Sequence, residues 1–199
     1  LIPRAYDVSG GSIRINGRDI RDFNLASLRD AIGFIPQKTM LFRGTIADNI
    51  RFGKEDATDR EVEQAARTAQ AYDFIMEKGG FDENITESAT NISGGQKQRL
   101  SIARALVKRP KIYIFDDSFS ALDFKTDATL RRELKKETRN AIVMVVAQRI
   151  ASIMDADQIV VLNEGKIVGM GTHRELLKSC SIYHEIAVSQ LSEEELANA

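Results

Sequence analysis

The run Ile112-Tyr113-Ile114-Phe115-Asp116-Asp117 constrains this chain more than any other segment. Apolar runs such as Ile112 to Phe115, separated by helices along the chain, indicate a mainly parallel sheet covered on both faces. Two carboxylates at the end of such a strand fall beyond the carboxyl edge of the sheet, where open α/β folds bind ligands. A carboxylate in that place can hold Mg²⁺, usually through water. The next one can polarise a water for attack on a γ-phosphate. Taken alone, the same pattern is also a strand followed by an ordinary acidic turn.

The rest of the chain supplies the other elements. Ser12 to Ile20 alternates apolar and polar residues around Asn16-Gly17, which predicts a hairpin with a tight turn. Leu25 to Asp30 is expected to be a short helix, and Ala31 to Pro36 a buried strand stopped by its proline. Thr58 and Glu61 are spaced as a capping box that opens a helix to about Ala71. A further helix is expected from about Gly95 to Val107, halted by Lys108-Arg109-Pro110. Strand and helix then alternate: Thr126 to Thr138 helical, Ala141 to Val146 a strand, and Ile150 to Met154 a short helix. Gln158 to Leu162 and Lys166 to Gly169 make two strands around Asn163-Glu164-Gly165, and Thr172 with Glu175 caps a further helix. The expected fold is therefore α/β, a mainly parallel sheet flanked by helices. A helical lobe is expected at about 38–104, and an acidic, solvated tail at 191–199.

Composition narrows the function. The 28 Lys+Arg balance 29 Asp+Glu for a net charge of -1, which gives no electrostatic argument for a nucleic-acid partner. The single cysteine, Cys180, excludes an internal disulfide and fits a reducing compartment. The longest strongly apolar run, Ile142 to Ala147, is far short of the ~20 residues that a membrane-spanning helix needs. No signal peptide is visible. The chain opens Leu1-Ile2-Pro3 without Met, which suggests a fragment.

The strongest signal is Ile92-Ser93-Gly94-Gly95-Gln96-Lys97-Gln98-Arg99-Leu100. A serine and two glycines opening a helix leave backbone N–H groups bare at the positive end of the helix dipole. That is a cradle for a phosphate. By itself Ser-Gly-Gly is an ordinary N-cap with a flexible pair. The order Gln37, Ser93-Gly94-Gly95-Gln96, Asp116-Asp117 and Ser120-Ala121-Leu122-Asp123, however, resembles the ABC transporter ATPase domain over nearly the whole chain, from Leu1 to about Gln190.

The resemblance implies a P-loop NTPase-like fold that binds ATP and Mg²⁺. It makes Gln37 the Q-loop glutamine, which reaches Mg²⁺ and links the site to a membrane domain. Asp116 becomes the Mg²⁺-side carboxylate that ends the Walker B strand. Ser93, Gly94, Gly95 and Gln96 become the signature that binds the γ-phosphate of ATP held by a second ATPase subunit. Asp123 belongs to the D-loop of that dimer interface. The segment Leu41 to Ile50 resembles exporters, whose ATPase follows a transmembrane domain in the same chain, at the cytoplasmic face of the membrane. Pro3 to Asp7 resembles the stretch just after the phosphate-loop helix.

Four departures qualify this. The Walker A pattern G-x-x-x-x-G-K-[ST] is absent, since neither Gly53-Lys54 nor Gly165-Lys166 has the required flanks. Asp117 replaces the family's catalytic glutamate and Gln148 its switch histidine. Together these resemble the degenerate subunit of a heterodimeric exporter, which keeps a good signature for its partner. The segment Glu83 to Ala89 matches the exporter loop before the signature only at Glu87.

The leading expectation is thus the ATPase domain of a heterodimeric exporter. Two others stand beside it: a non-catalytic dimerisation or regulatory module, and a chromosome-organising or DNA-repair ATPase head. His173 and His184 read as surface residues, Arg131 to Lys136 as a solvated face, and the methionines as core filler.

Overall fold

The structure, a computed structural model, describes residues 1–86, 89–192 and 196. Glu87 and the tail residues 193–195 and 197–199, for which the sequence carried expectations, lie outside the described residues. The chain forms two compact units, Leu1–Val146 and Ala147–Ala199.

The first unit begins with the hairpin of β1 (Arg14–Ile15) and β2 (Arg18–Asp19). Asn16 and Gly17 both adopt positive φ, the conformation that a tight two-residue turn demands. Asn24 caps α1 (Leu25–Asp30), which leads into β3 (Ile32–Ile35). β4 (Gly44–Thr45) runs into α2 (Ile46–Arg51) through a capping box of Thr45 and Asp48. The Thr58–Glu61 box opens α3 (Asp59–Thr68), followed by α4 (Tyr72–Glu77) and β5 (Asn84–Ile85), which pairs with β4. Ser93 and Gln96 form a third box at the start of α5 (Gly94–Val107). Then come β6 (Ile112–Asp116), α6 (Phe124–Glu137) and β7 (Ile142–Val146).

The sheet has the order β3-β6-β7 and is parallel throughout. Alternate residues of β6 enter two different cores. Tyr113 and Phe115 join the large cluster with Leu100, Ile102 and Leu106 of α5. Ile112 and Ile114 pack with Ile20, Leu28 and Ile32 on the other side. This two-sided burial explains why the strand carries no polar alternation. The expected cover on both faces fails at β7: Ile142 is 60% exposed and Val146 57%, although the strand is wholly apolar. Among the described residues β7 pairs with β6 alone, so one edge is unpaired, and four of its five side chains are exposed.

α5 is the central helix of this unit and packs on α2 and α3. The fit is close enough to specify glycine at Gly53, where an added Cβ would lie 1.9 Å from the Arg104 carbonyl oxygen. Arg104 itself donates to the Asn49 carbonyl (2.8 Å), to Asn49 Oδ1 (3.0 Å) and to the Met40 carbonyl (3.0 Å). Burial pushes its pKa down to about 10, still well above neutral, so the guanidinium remains charged.

In the second unit, β8 (Ile159–Asn163) and β9 (Lys166–Gly171) form a hairpin turned by Glu164 and Gly165, both at positive φ. The expected helix after Thr172 is two helices, α7 (His173–Ser179) and α8 (Ser181–Gln190), broken at the extended residue Cys180. Their core holds Ile159, Val161, Leu176, Cys180 and Tyr183. Two expectations are corrected. His173 is not a surface residue: it is 5% exposed, its Nδ1 lies 2.7 Å from the Tyr183 hydroxyl, and burial lowers its pKa. The methionines are mostly not core filler, since Met40, Met76, Met144 and Met170 are all exposed.

Candidate nucleotide site

Parallel pairing of β3 with β6, in the register Ile35↔Phe115, brings both strands to the same edge of the sheet together. Pro36 ends the first strand, so Gln37 leaves it beside Asp116 and Asp117. The Gln37 Nε2 donates to Asp117 Oδ2 at 3.2 Å. This contact joins residues 80 apart in sequence.

Asp117 adopts φ +47°, a left-handed conformation uncommon outside glycine and worth attention at a ligand-binding edge. Neighbours hold it there. Its N–H donates to the Val146 carbonyl at 2.9 Å, and its own carbonyl accepts from the Ser120 hydroxyl at 3.0 Å. Ser118, fully buried, donates its hydroxyl to the Ile35 carbonyl at 3.0 Å and so ties the ends of β3 and β6 together.

Asp116 is half-buried at the last position of β6. Among the described residues no group of three His, Cys, Asp or Glu side chains could hold a metal. The donors present, two carboxylates and an amide, are hard oxygen ligands of the kind that suits Mg²⁺, which keeps several waters and usually takes only one or two protein carboxylates.

The Ser93–Gln96 segment is organised by its capping box. The Ser93 N–H donates to Gln96 Oε1 (3.0 Å) and the Gln96 N–H to Ser93 Oγ (3.3 Å). A Cβ added to Gly94 would meet nothing within 4 Å, so the backbone there is open to approach. At Gly95 a Cβ would lie 3.1 Å from the Ala121 carbonyl oxygen, so this end of α5 rests on the turn that leads to Asp123. Asp123 caps α6 by accepting the Thr126 N–H at 3.0 Å, and this bond holds its carboxyl below its usual range. That capping role was not foreseen from the sequence, which placed the helix start two residues later.

The structure therefore brings Gln37 to Asp117 in one group, and Ser93–Gln96 to the Ala121–Asp123 turn in another, both within the first unit. Gln148 lies in the second unit, exposed, with its carbonyl accepting from Gln190 Nε2 at 2.8 Å. Gly53-Lys54 is structural, with Lys54 paired to Glu61 at 2.6 Å. Sequence reasoning missed Ser118 and gave Ser120 only as part of the motif order, with no role for its hydroxyl, although two serines within four residues of a strand-end aspartate were a readable sign. It also missed Thr39, whose hydroxyl donates to Gln98 Oε1 at 2.6 Å; no local pattern announces a contact across 59 residues.

A family model described as ABC transporter matches residues 1–120. An uncharacterized ABC transporter ATP-binding protein of Mycobacterium tuberculosis is 45% identical over 193 residues, covering 96% of this chain and 33% of the relative. Human ATP-binding cassette sub-family B member 5 is 43% identical over 191 residues, covering 96% of this chain and 15% of the relative. A solved structure of a bacterial Atm1-family ABC exporter with ATP bound superposes with a TM-score of 0.92 at 37% identity, covering 96% of this chain and 34% of that one. The chain thus spans a third or less of the length of these relatives.

Proposed function

The chain belongs to the ABC transporter family, and from that premise we propose that it is the ATPase domain of an exporter, the degenerate subunit whose signature completes the ATP site of a different partner. The observation that carries this reading is the Gln37–Asp117 hydrogen bond at the carboxyl edge of the sheet, where the reading needs the hydrolytic side of an ATP site. In this reading Gln37 and Asp116 face Mg²⁺, and Asp117 stands where a general base would orient the attacking water. The bound ion would neutralise charge on the β- and γ-phosphates. Gly94 and Gly95 present their backbone N–H groups, Ser93 its hydroxyl proton and Gln96 its side-chain amide to the γ-phosphate of ATP on the partner subunit. Asp123 lies in the loop that meets the partner.

Two features support the degenerate assignment. Asp117 is one methylene shorter than glutamate, and a misplacement of ~1 Å costs on the order of 100-fold in rate. Gln148 can hydrogen-bond a phosphate oxygen but cannot carry a proton at neutral pH. The phosphate loop missing from these 199 residues would come in on a parallel strand along the open edge of β7. A transmembrane domain, as in the exporter relatives, would place the assembly at the cytoplasmic face of a membrane. No helix among the described residues is long and apolar enough to cross one. The domain assignment follows the same reading, with residues 1–190 as the ATPase domain and a helical lobe at about 38–104. The open edge of β7 with no phosphate loop favours a second reading, a non-catalytic interaction module.

The test is MgATP hydrolysis by this subunit, joined to a phosphate-loop segment, beside its Asp117→Glu/Gln148→His double variant. Little turnover by the parent and a gain of at least ~10-fold in the double variant are expected. Brisk turnover by the parent alone would overturn the dependence on a partner. Failure of both proteins to bind ATP would select the interaction module.

A further inference from the structure

Gln98 sits in the second turn of α5 with only 4% of its surface exposed. Its Oε1 accepts the Thr39 hydroxyl at 2.6 Å, while its Nε2 is buried without a hydrogen-bond partner. A buried amide with one group unpaired costs stability, and an apolar side chain of similar size would serve the core better. Packing therefore does not account for an amide here.

Position does. Thr39 follows Gln37 by two residues, and Gln98 follows Gln96 by two. The first pair lies on the loop that carries the Gln37 contact to Asp117, and the second on a continuous helix whose first turn is the Ser93–Gln96 segment. The far side of the same loop is fixed to the same packed elements, through Arg104 to the Met40 carbonyl and through the Phe42 N–H to Asn49 Oδ1 at 2.8 Å. Loop and helix are thus held in one frame, and the Thr39–Gln98 bond is the tie nearest to both nucleotide-facing ends.

We infer that Thr39 and Gln98 form a positioning link that sets the signature segment according to the place of Gln37. This rests on the functional reading above. In that reading Gln37 faces the nucleotide of this chain's own site, and Ser93–Gln96 face the nucleotide of the partner. A shift of Gln37 on nucleotide binding is then delivered to α5, so one site's occupancy is felt at the other. Neither residue touches nucleotide; both act through their neighbours.

The experiment uses the assembled transporter, with kcat and KM for MgATP measured beside the unfolding temperature. The variants are Thr39→Val, Gln98→Leu, the pair together, and Thr39→Ser, which keeps the hydroxyl. Each of the first two should lower kcat ~5-fold, the rate equivalent of one ordinary hydrogen bond, with KM within ~2-fold of the parent. The double variant should be no slower than the worse single, because both remove one interaction. Thr39→Ser should run near the parent rate, and Gln98→Leu should not lower the unfolding temperature. Unchanged kcat in both singles, losses that multiply in the double, or losses that track the unfolding temperature would each overturn the link. A parent assembly that neither binds nor hydrolyses ATP would overturn the functional reading instead, and the link would fall with it.

Discussion

β6 and β7 lie side by side in one parallel sheet, in register from Ile112↔Ile142 to Asp116↔Val146. Both are five residues long, and both are apolar apart from Asp116 at the end of β6. Their surroundings differ. Phe115 is 1% exposed, whereas Met144, one position earlier in the shared register, is 42% exposed. β6 has a strand on each edge and a hydrophobic cluster on each face; β7 has one strand neighbour among the described residues. The contrast separates two jobs. β6 fixes the carboxylates rigidly at its end. β7 gives the site one backbone carbonyl, at Val146, and among the described residues leaves its outer edge unpaired and most of its side chains exposed.

The contrast can be broken most decisively by truncating one side chain in each strand. Phe115→Ala should cost ~3–5 kcal/mol in urea unfolding, because it opens a cavity among residues of α5 and the sheet. A cost below ~1 kcal/mol would mean that β6 is not the packed centre. Ser118→Ala should cost about 1–2 kcal/mol by the same measurement, since it leaves the buried Ile35 carbonyl without the hydroxyl that ties the strand ends. Native-state hydrogen exchange should show β6 amides protected to nearly the global unfolding free energy and β7 amides opening more readily. Equal protection would contradict an open edge. The smallest effect should be Met144→Ala, at less than ~1 kcal/mol in this chain because the side chain is already half in water. That cost should rise when a phosphate-loop strand is joined, which sharpens the assignment of β7 as an acceptor of a further strand.

Much of this was readable from local patterns. The caps at Thr58 and Thr172, each spaced three residues from its glutamate, form as expected; the Ser93–Gln96 box was not foreseen, since the sequence read Ser93 only as an N-cap. The apolar run before Asp116-Asp117 announced a buried parallel strand, because no side of it could face water. What stayed hidden depended on contacts far along the chain. Nothing near His173 signals that Tyr183 will cover it, and nothing in Ile142 to Val146 signals that the strand will pair on one edge alone among the described residues. Gly53 looks like half of a phosphate loop in sequence, yet it is needed because the Arg104 backbone passes against it. At the candidate site, Asp116, Asp117 and the Ser93–Gln96 segment were singled out by motif, and Gln37 by its place in the family order. Their geometry came from elsewhere: the left-handed backbone of Asp117, the two serine hydroxyls and the Thr39–Gln98 bond all arise from how strand ends and loops meet.

In the proposed function, this chain contributes to ATP turnover through its signature more than through its own carboxylate. The most direct measurement is MgATP turnover by the assembled transporter carrying Gly94→Asp or Asp117→Asn in this chain. Gly94 has open space around it, so the aspartate should fold normally and set a negative charge where the partner's γ-phosphate would lie. The account predicts a loss of at least ~100-fold for Gly94→Asp, comparable to removing a principal charge-stabilising contact, and less than ~3-fold for Asp117→Asn. The reverse pattern, turnover abolished by Asp117→Asn and spared by Gly94→Asp, would contradict it.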